Sequence, residues 1–247
     1  MKDLFRFKKL KFNWQFGLTL ILLFGIPRFL FVLEANRTGN YSFTSIIFVL
    51  MWLTPFILLK KEGRKIIGLK RPKNIQWLIY SFLIGIFASA IIFLLGNYLY
   101  LDSIENWFVY ISNSYSSMPV DELTGSNKKL YFGMFAIIGM TFSPIGEELL
   151  YRGLIHQGFV PEFGKNRASV FDSLAFAIVH LAHFGIIYSS GSWEFLFVPA
   201  FIWMTLMFLT SRLFYYCKTK TESIYGAIIS HAGFNFAMTY FIFYHIL

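Results

Sequence analysis

An all-α, polytopic bundle of transmembrane helices is the fold this sequence predicts, and three observations predict it. Of 247 residues, 56% are hydrophobic and only 14% charged, a balance that soluble domains rarely show. Aromatic residues make up 21% of the chain, 31 of them phenylalanine. Apolar segments of spanning length recur throughout, at about 14–34, 41–60, 76–101, 129–158, 169–184, 195–215 and 223–245. About seven spans follow, or eight if the loop 102–128 hides an interfacial or re-entrant helix.

The first span follows the basic stretch MKDLFRFKKLKF. A signal peptide would need a small-x-small cleavage site and a shorter apolar run, so this segment reads as a retained helix. No repeat, low-complexity tract or linker interrupts the rest of the chain. The expectation is a single integral membrane domain over 1–247.

The loops between spans set the orientation. The net charge is +9, from 22 Lys and Arg against 13 Asp and Glu. In a membrane protein such an excess marks cytoplasmic loops. The bases lie in short segments without aromatic interleaving, which argues against a nucleic-acid partner. Lys2, Arg6, Lys8, Lys9 and Lys11, the loop KKEGRKIIGLKRPKN at 60–74, Lys165 with Arg167, and Arg212 with Lys218 and Lys220 all fall on one side. The acidic loop 102–128 and the 185–194 loop, which has no Lys or Arg, fall on the other. A cell-membrane protein with a cytoplasmic N-terminus and an outward C-terminus is expected. The lone Cys217 excludes an internal disulfide and a CxxC metal site, and reads as a small hydrophobe at a helix end.

Ionisable and amide groups at bilayer depth are costly, so those present are candidates for function. Three clusters stand out: Glu147, Glu148 and Arg152 in PIGEELLYRGLI; His180 and His183 in FAIVHLAH; and His231 and Asn235 in SHAGFN. Glu148 and Arg152 are four apart, so they share a helix face and can pair. Glu147 lies about 100° around from Glu148 and lacks that partner, which leaves it for chemistry. His231 and Asn235, and Phe176 and His180, have the same four-residue spacing. At about 1.5 Å per residue, Glu147, His180, His231 and Asn235 sit roughly 12–18 Å from the cytoplasmic ends of their helices. A lone intramembrane His or Asn more often packs helices than catalyses; three clusters at one depth argue for a buried site reached from the cytoplasmic half. His183, His156 and His245 lie near helix ends and read as interfacial, and Arg28 as a snorkelling side chain.

The clusters resemble the motifs EExxxR, FxxxH and HxxxN of the CPBP family, the CAAX-protease and bacteriocin-processing (Abi) intramembrane endopeptidases. Glu147-Glu148 with Arg152, Phe176 with His180, and His231 with Asn235 match them in order, within a core of about 129–240. The resemblance implies a membrane-embedded peptidase acting on a hydrophobic or membrane-anchored peptide, such as a signalling-peptide or bacteriocin precursor. Relatives cleave prenylated C-terminal peptides in eukaryotes and are linked to peptide maturation and bacteriocin immunity in bacteria; some act as regulators.

Amide hydrolysis needs an activated water, a stabilised oxyanion and a protonated leaving amine. On this reading Glu147 is the general base, His180 holds and polarises the water, and His231 and Asn235 donate to the oxyanion. Glu148 is held by Arg152 and contacts the substrate backbone, while Arg152 and Phe176 are structural supports. A zinc ion held by Glu147, His180 and His231 is the alternative to a metal-free mechanism, although no HExxH is present. A different class of function is a non-catalytic immunity or regulatory protein that binds a hydrophobic peptide. A transporter ranks behind both, because no inverted repeat is visible.

Overall fold

The structure, a computed structural model, describes residues 4–115 and 125–247. Nine α-helices are found among the described residues: α1 (Trp14–Thr38), α2 (Ser42–Leu58), α3 (Lys61–Ile66), α4 (Gln76–Tyr100), α5 (Trp107–Ser112), α6 (Gly125–Glu147), α7 (His156–Val179), α8 (Phe197–Thr221) and α9 (Ile224–Phe241). The helical polytopic bundle expected from composition is therefore what forms. Among the described residues, five helices are long and apolar enough to cross a bilayer: Trp14–Thr38, Gln76–Tyr100, Gly125–Ala182, Phe197–Thr221 and Ile224–Ile246. The third of these is two arms, because Gly164 (φ 72°, ψ 165°) leaves helical geometry in a region that L side chains rarely adopt. Phe43–Leu58, within α2, adds a shorter apolar helix among the described residues.

Local signals explain the boundaries. Asn13 caps α1 through its side-chain oxygen, which accepts from the Phe16 amide, and Gly39 ends it in the left-handed region. Ser223 caps α9 by accepting from the Tyr225 amide. Part of the loop 102–128 is helical after all: α5, capped by Asn106, buries Trp107 and Phe108. The remainder of that loop, 116–124, lies outside the described residues. The 185–194 segment, expected as a plain loop, is a two-stranded hairpin, β1 (Ile186–Ser189) with β2 (Ser192–Phe195).

Two features position the helices that matter. First, α4 and α9 touch backbone to backbone: a Cβ on Gly85 would stand 1.9 Å from the Ser230 carbonyl, and one on Gly233 2.2 Å from the Phe82 carbonyl. Such small-residue seams let transmembrane helices approach closely, and this one fixes the helix that carries His231 and Asn235. Second, α6 contains Pro144 and runs directly into a π-helical stretch, Glu148–Ile155. Proline removes an amide from the helical ladder, and the π turn that comes after it is a form frequent at functional sites.

Candidate active site

The three polar clusters converge. Glu147, His180, His231 and Asn235 all line one cavity of about 630 Å³, together with Phe176 and Arg28. Glu147 closes α6, His180 opens the 3₁₀ turn after α7, and His231 and Asn235 lie one turn apart on α9.

The two adjacent glutamates part company. Glu148 is fully buried away from the cavity and pairs with Arg152 at 3.2 Å, as its spacing predicts. It also accepts a hydrogen bond from His231 Nδ1 at 2.9 Å. Glu147 faces the cavity, but it is not without a partner. The guanidinium of Arg28 lies 2.5 Å from its Oε1, off the angle of a hydrogen bond. His231 Nε2 lies 3.9 Å from its Oε2. Neither Glu147 oxygen accepts a hydrogen bond among the described residues.

Hydrogen bonds assign the histidine tautomers. His180 Nδ1 bonds the Phe176 carbonyl at 2.6 Å. It must donate there, so Nε2 keeps its lone pair. His231 donates from Nδ1 to Glu148, which turns Nε2 toward Glu147. The rings are held by aromatics: Phe176 lies 4.1 Å from His180 between centroids, and Phe214 stacks on His231 at 4.7 Å. Trp203 donates to the His180 carbonyl at 3.0 Å. The Asn235 amide donates to the Gly139 carbonyl (2.8 Å) and Ser143 Oγ (3.1 Å), so both of its N–H groups are engaged on α6.

Behind Glu148 lies a charged network whose members do not line that cavity. Arg152 stacks over Phe176 at 4.3 Å, donates to Ser211, and lies 3.9 Å from Asp172. Asp172 bonds His156 at 2.7 Å, and Lys218 donates to the Arg152 carbonyl at 2.5 Å.

The structure corrects several expectations. Arg28 does not snorkel. It lies about 21 Å along α1 from Trp14 and about 15 Å from Thr38, too deep to reach either end, and it is buried against Glu147. His156 is not interfacial but buried in the Asp172 pair. His183 lines the cavity and lies 3.3 Å from Arg28. Sequence spacing does not single out Asp172 or Phe214. Arg28 carries a signal: it is an ionisable residue mid-span, directly after Pro27. Asp172 has none, standing three residues inside its expected span. The cavity runs toward Asn36, Thr38, Tyr41, Ser114 and Tyr188. That is the end opposite the basic loops, so access is from the far side and not from the half that carries 60–74.

Glu147, His180 and His231 do not fit a metal as they are arranged. His180 Nε2 faces Arg28 at 3.5 Å, and the guanidinium stands against Glu147 where a cation would bind. No group of three or more His, Cys, Asp or Glu among the described residues is spaced to hold a metal.

Comparison with known proteins fits this geometry. The family model described as "Rce1-like: Type II CAAX prenyl endopeptidase Rce1-like" matches residues 129–237. No curated protein and no solved structure matches the chain. Every motif residue from Glu147 to Asn235 falls within the matched stretch, while Arg28 falls outside it. Residues 129–237, which supply half of the cavity's lining, thus match the Rce1-like type II CAAX prenyl endopeptidase family, the CAAX-protease family that the motifs resemble.

Proposed function

We propose that the protein is an intramembrane endopeptidase that hydrolyses a hydrophobic or membrane-anchored peptide, such as a signalling-peptide or bacteriocin precursor, with water activated by Glu147 and without a metal. One observation carries this reading. Glu147 is a buried carboxylate on a cavity wall whose two oxygens accept no hydrogen bond among the described residues, and a buried group left so calls for a functional account.

The chemistry follows from the donors and acceptors in place. Glu147 takes a proton from water as the water oxygen bonds to the peptide carbonyl carbon. The C–N bond then breaks as Glu147 returns that proton to the leaving nitrogen. His180 accepts from the attacking water at Nε2, whose lone pair its bond to Phe176 preserves and whose present neighbour, Arg28 Nη2 at 3.5 Å, the water displaces. His231, oriented by Glu148, presents Nε2 beside Glu147. Glu148 then acts through His231 and has no contact with substrate. Asn235 anchors α6, the helix that ends in Glu147, and would have to leave Gly139 or Ser143 to reach an oxyanion.

The basic loops support a cell-membrane location with the N-terminus in the cytoplasm, and on that orientation the cavity opens outward. The test uses purified protein in liposomes with an internally quenched, farnesylated CAAX-type peptide, a probe chosen from the family description. Cleavage that is lost in Glu147→Gln and insensitive to chelators is expected. Full activity in Glu147→Gln would show that Glu147 is not the base, no cleavage by the wild-type protein would leave the binding-protein reading in its place, and loss of activity on chelation that zinc restores would replace the metal-free mechanism.

A further inference from the structure

Hydrolysis of an amide leaves negative charge on the carbonyl oxygen, and that charge needs N–H donors. Several side-chain N–H donors on the cavity wall already have an acceptor. Asn235 Nδ2 is engaged by Gly139 and Ser143. His180 Nδ1 is engaged by the Phe176 carbonyl and His231 Nδ1 by Glu148. Trp203 Nε1 is engaged by the His180 carbonyl, and Asn36 Nδ2 by the Ala182 carbonyl. Arg28 differs. It lines the cavity with only 2% of its surface exposed, and its Nε and Nη1 have no hydrogen-bond partner among the described residues. The Tyr151 hydroxyl stands beside the guanidinium without the geometry of a hydrogen bond.

We infer that Arg28 is a catalytic residue: its guanidinium donates to the substrate carbonyl oxygen as that oxygen becomes an oxyanion. The inference rests on the endopeptidase reading above, and it adds a residue from α1, outside the segment that matches the family.

The geometry accounts for how the residue is kept in place. A guanidinium at this depth needs a counter-charge, and Glu147 at 2.5 Å supplies it in the absence of substrate. The planar fork of five donors serves two acceptors at once. Nη2 stays with Glu147 while Nε or Nη1 meets the oxyanion. As the water proton passes to Glu147, negative charge leaves the carboxylate and appears on the carbonyl oxygen, so the fixed cation follows the charge without moving far. His183 and His180, whose Nε2 atoms lie 3.3 and 3.5 Å from Nη2, flank the same nitrogen and hold its plane.

The experiment uses full-length protein in liposomes, the quenched farnesylated CAAX-type peptide, and a phosphinate analogue of that peptide whose anionic tetrahedral group replaces the scissile amide. Arg28→Lys keeps the charge that Glu147 needs but loses the fork. It should melt near wild type, lower kcat by about 10²–10³, change KM little, and weaken phosphinate binding by a similar factor. Arg28→Gly should regain part of its rate with added guanidinium and none with methylammonium. A folded Arg28→Lys protein with wild-type kcat and wild-type phosphinate affinity would overturn the assignment. Glu147→Gln separates the two ideas. If it abolishes cleavage while Arg28→Lys is fully active, Arg28 is the wrong residue and the hydrolytic reading stands. If phosphinate affinity depends on Arg28 while Glu147→Gln still cleaves, the base is misassigned and Arg28 stands.

Discussion

Glu147 and Glu148 are neighbours in sequence and opposites in surroundings. Glu148 looks into packed protein, with Arg152 at 3.2 Å, His231 at 2.9 Å, and Asp172, His156 and Lys218 behind them. Glu147 looks into a cavity, with one cation from another helix and no hydrogen bond among the described residues. Identical side chains one residue apart therefore have different surroundings, set by the side of the helix each faces as α6 passes into its π turn. The cavity side should govern rate and the packed side should govern folding.

The largest effect tests the cavity side. Glu147→Gln keeps shape and loses the base, so cleavage should fall to background while insertion and peptide binding persist. His180→Ala added to it should cost little more, because residues acting as a unit are non-additive. Matched-expression cleavage rates in liposomes check this, and independent additive losses would break the comparison at its centre.

Next in size is the packed side. Arg152→Ala removes one partner of a buried pair and leaves Glu148 and Asp172 without their cation, a change that typically destabilises by about 3–5 kcal/mol. It also removes the stacking on Phe176. The detergent-purified variant should melt well below wild type. Glu148→Gln placed on top should recover part of the loss by removing the stranded charge. A wild-type melting curve for Arg152→Ala would show that the packed network carries no stability.

How far the sequence reveals this arrangement depends on the same division. The helical fold and the Glu148–Arg152 pair are legible because periodicity and an i, i+4 spacing are local. Convergence of the three clusters is legible because helix rise turns residue counts into depth. Arg28 is harder to read because its partner Glu147 lies on a distant helix, and no spacing rule links α1 to α6. The hairpin at 186–195 is short and closed by Ser190 and Gly191 in the left-handed region, a turn signal that the sequence does carry. The direction of the cavity is set by how the helices splay, which lies beyond what hydropathy encodes.

A smaller effect concerns His183, which sequence position assigns to the interface and the structure assigns to Arg28. A hydrogen bond to a charged group is worth about 1.5–3 kcal/mol. If His183 steadies Arg28, His183→Ala should lower kcat/KM by about tenfold or more, with His183→Gln milder. An unchanged kcat/KM in a folded His183→Ala protein would return this histidine to the interface.

The smallest effect is the sharpest control, because it separates distance from surroundings. Lys73 Nζ lies 2.8 Å from a Glu222 oxygen, closer than Arg152 lies to Glu148, yet 71% and 49% of the two side chains are exposed. Water already solvates both charges, so little is gained when they meet and little is lost when they part. The hydrogen bond from Lys73 holds the Glu222 carboxyl below the ordinary glutamate range. A depressed folded value places the pair's contribution above the unfolded pKa and removes it as pH falls through the folded one. Lys73→Ala should therefore leave the melting temperature unchanged within scatter at pH 7, and any difference from wild type should vanish on acidification. Raised salt should erase it as well, since exposed charges are screened. If Lys73→Ala instead destabilised the protein as much as Arg152→Ala, contact distance and not desolvation would rank the ion pairs here, and the contrast drawn between the two faces of the Glu147–Glu148 turn would lose its physical basis.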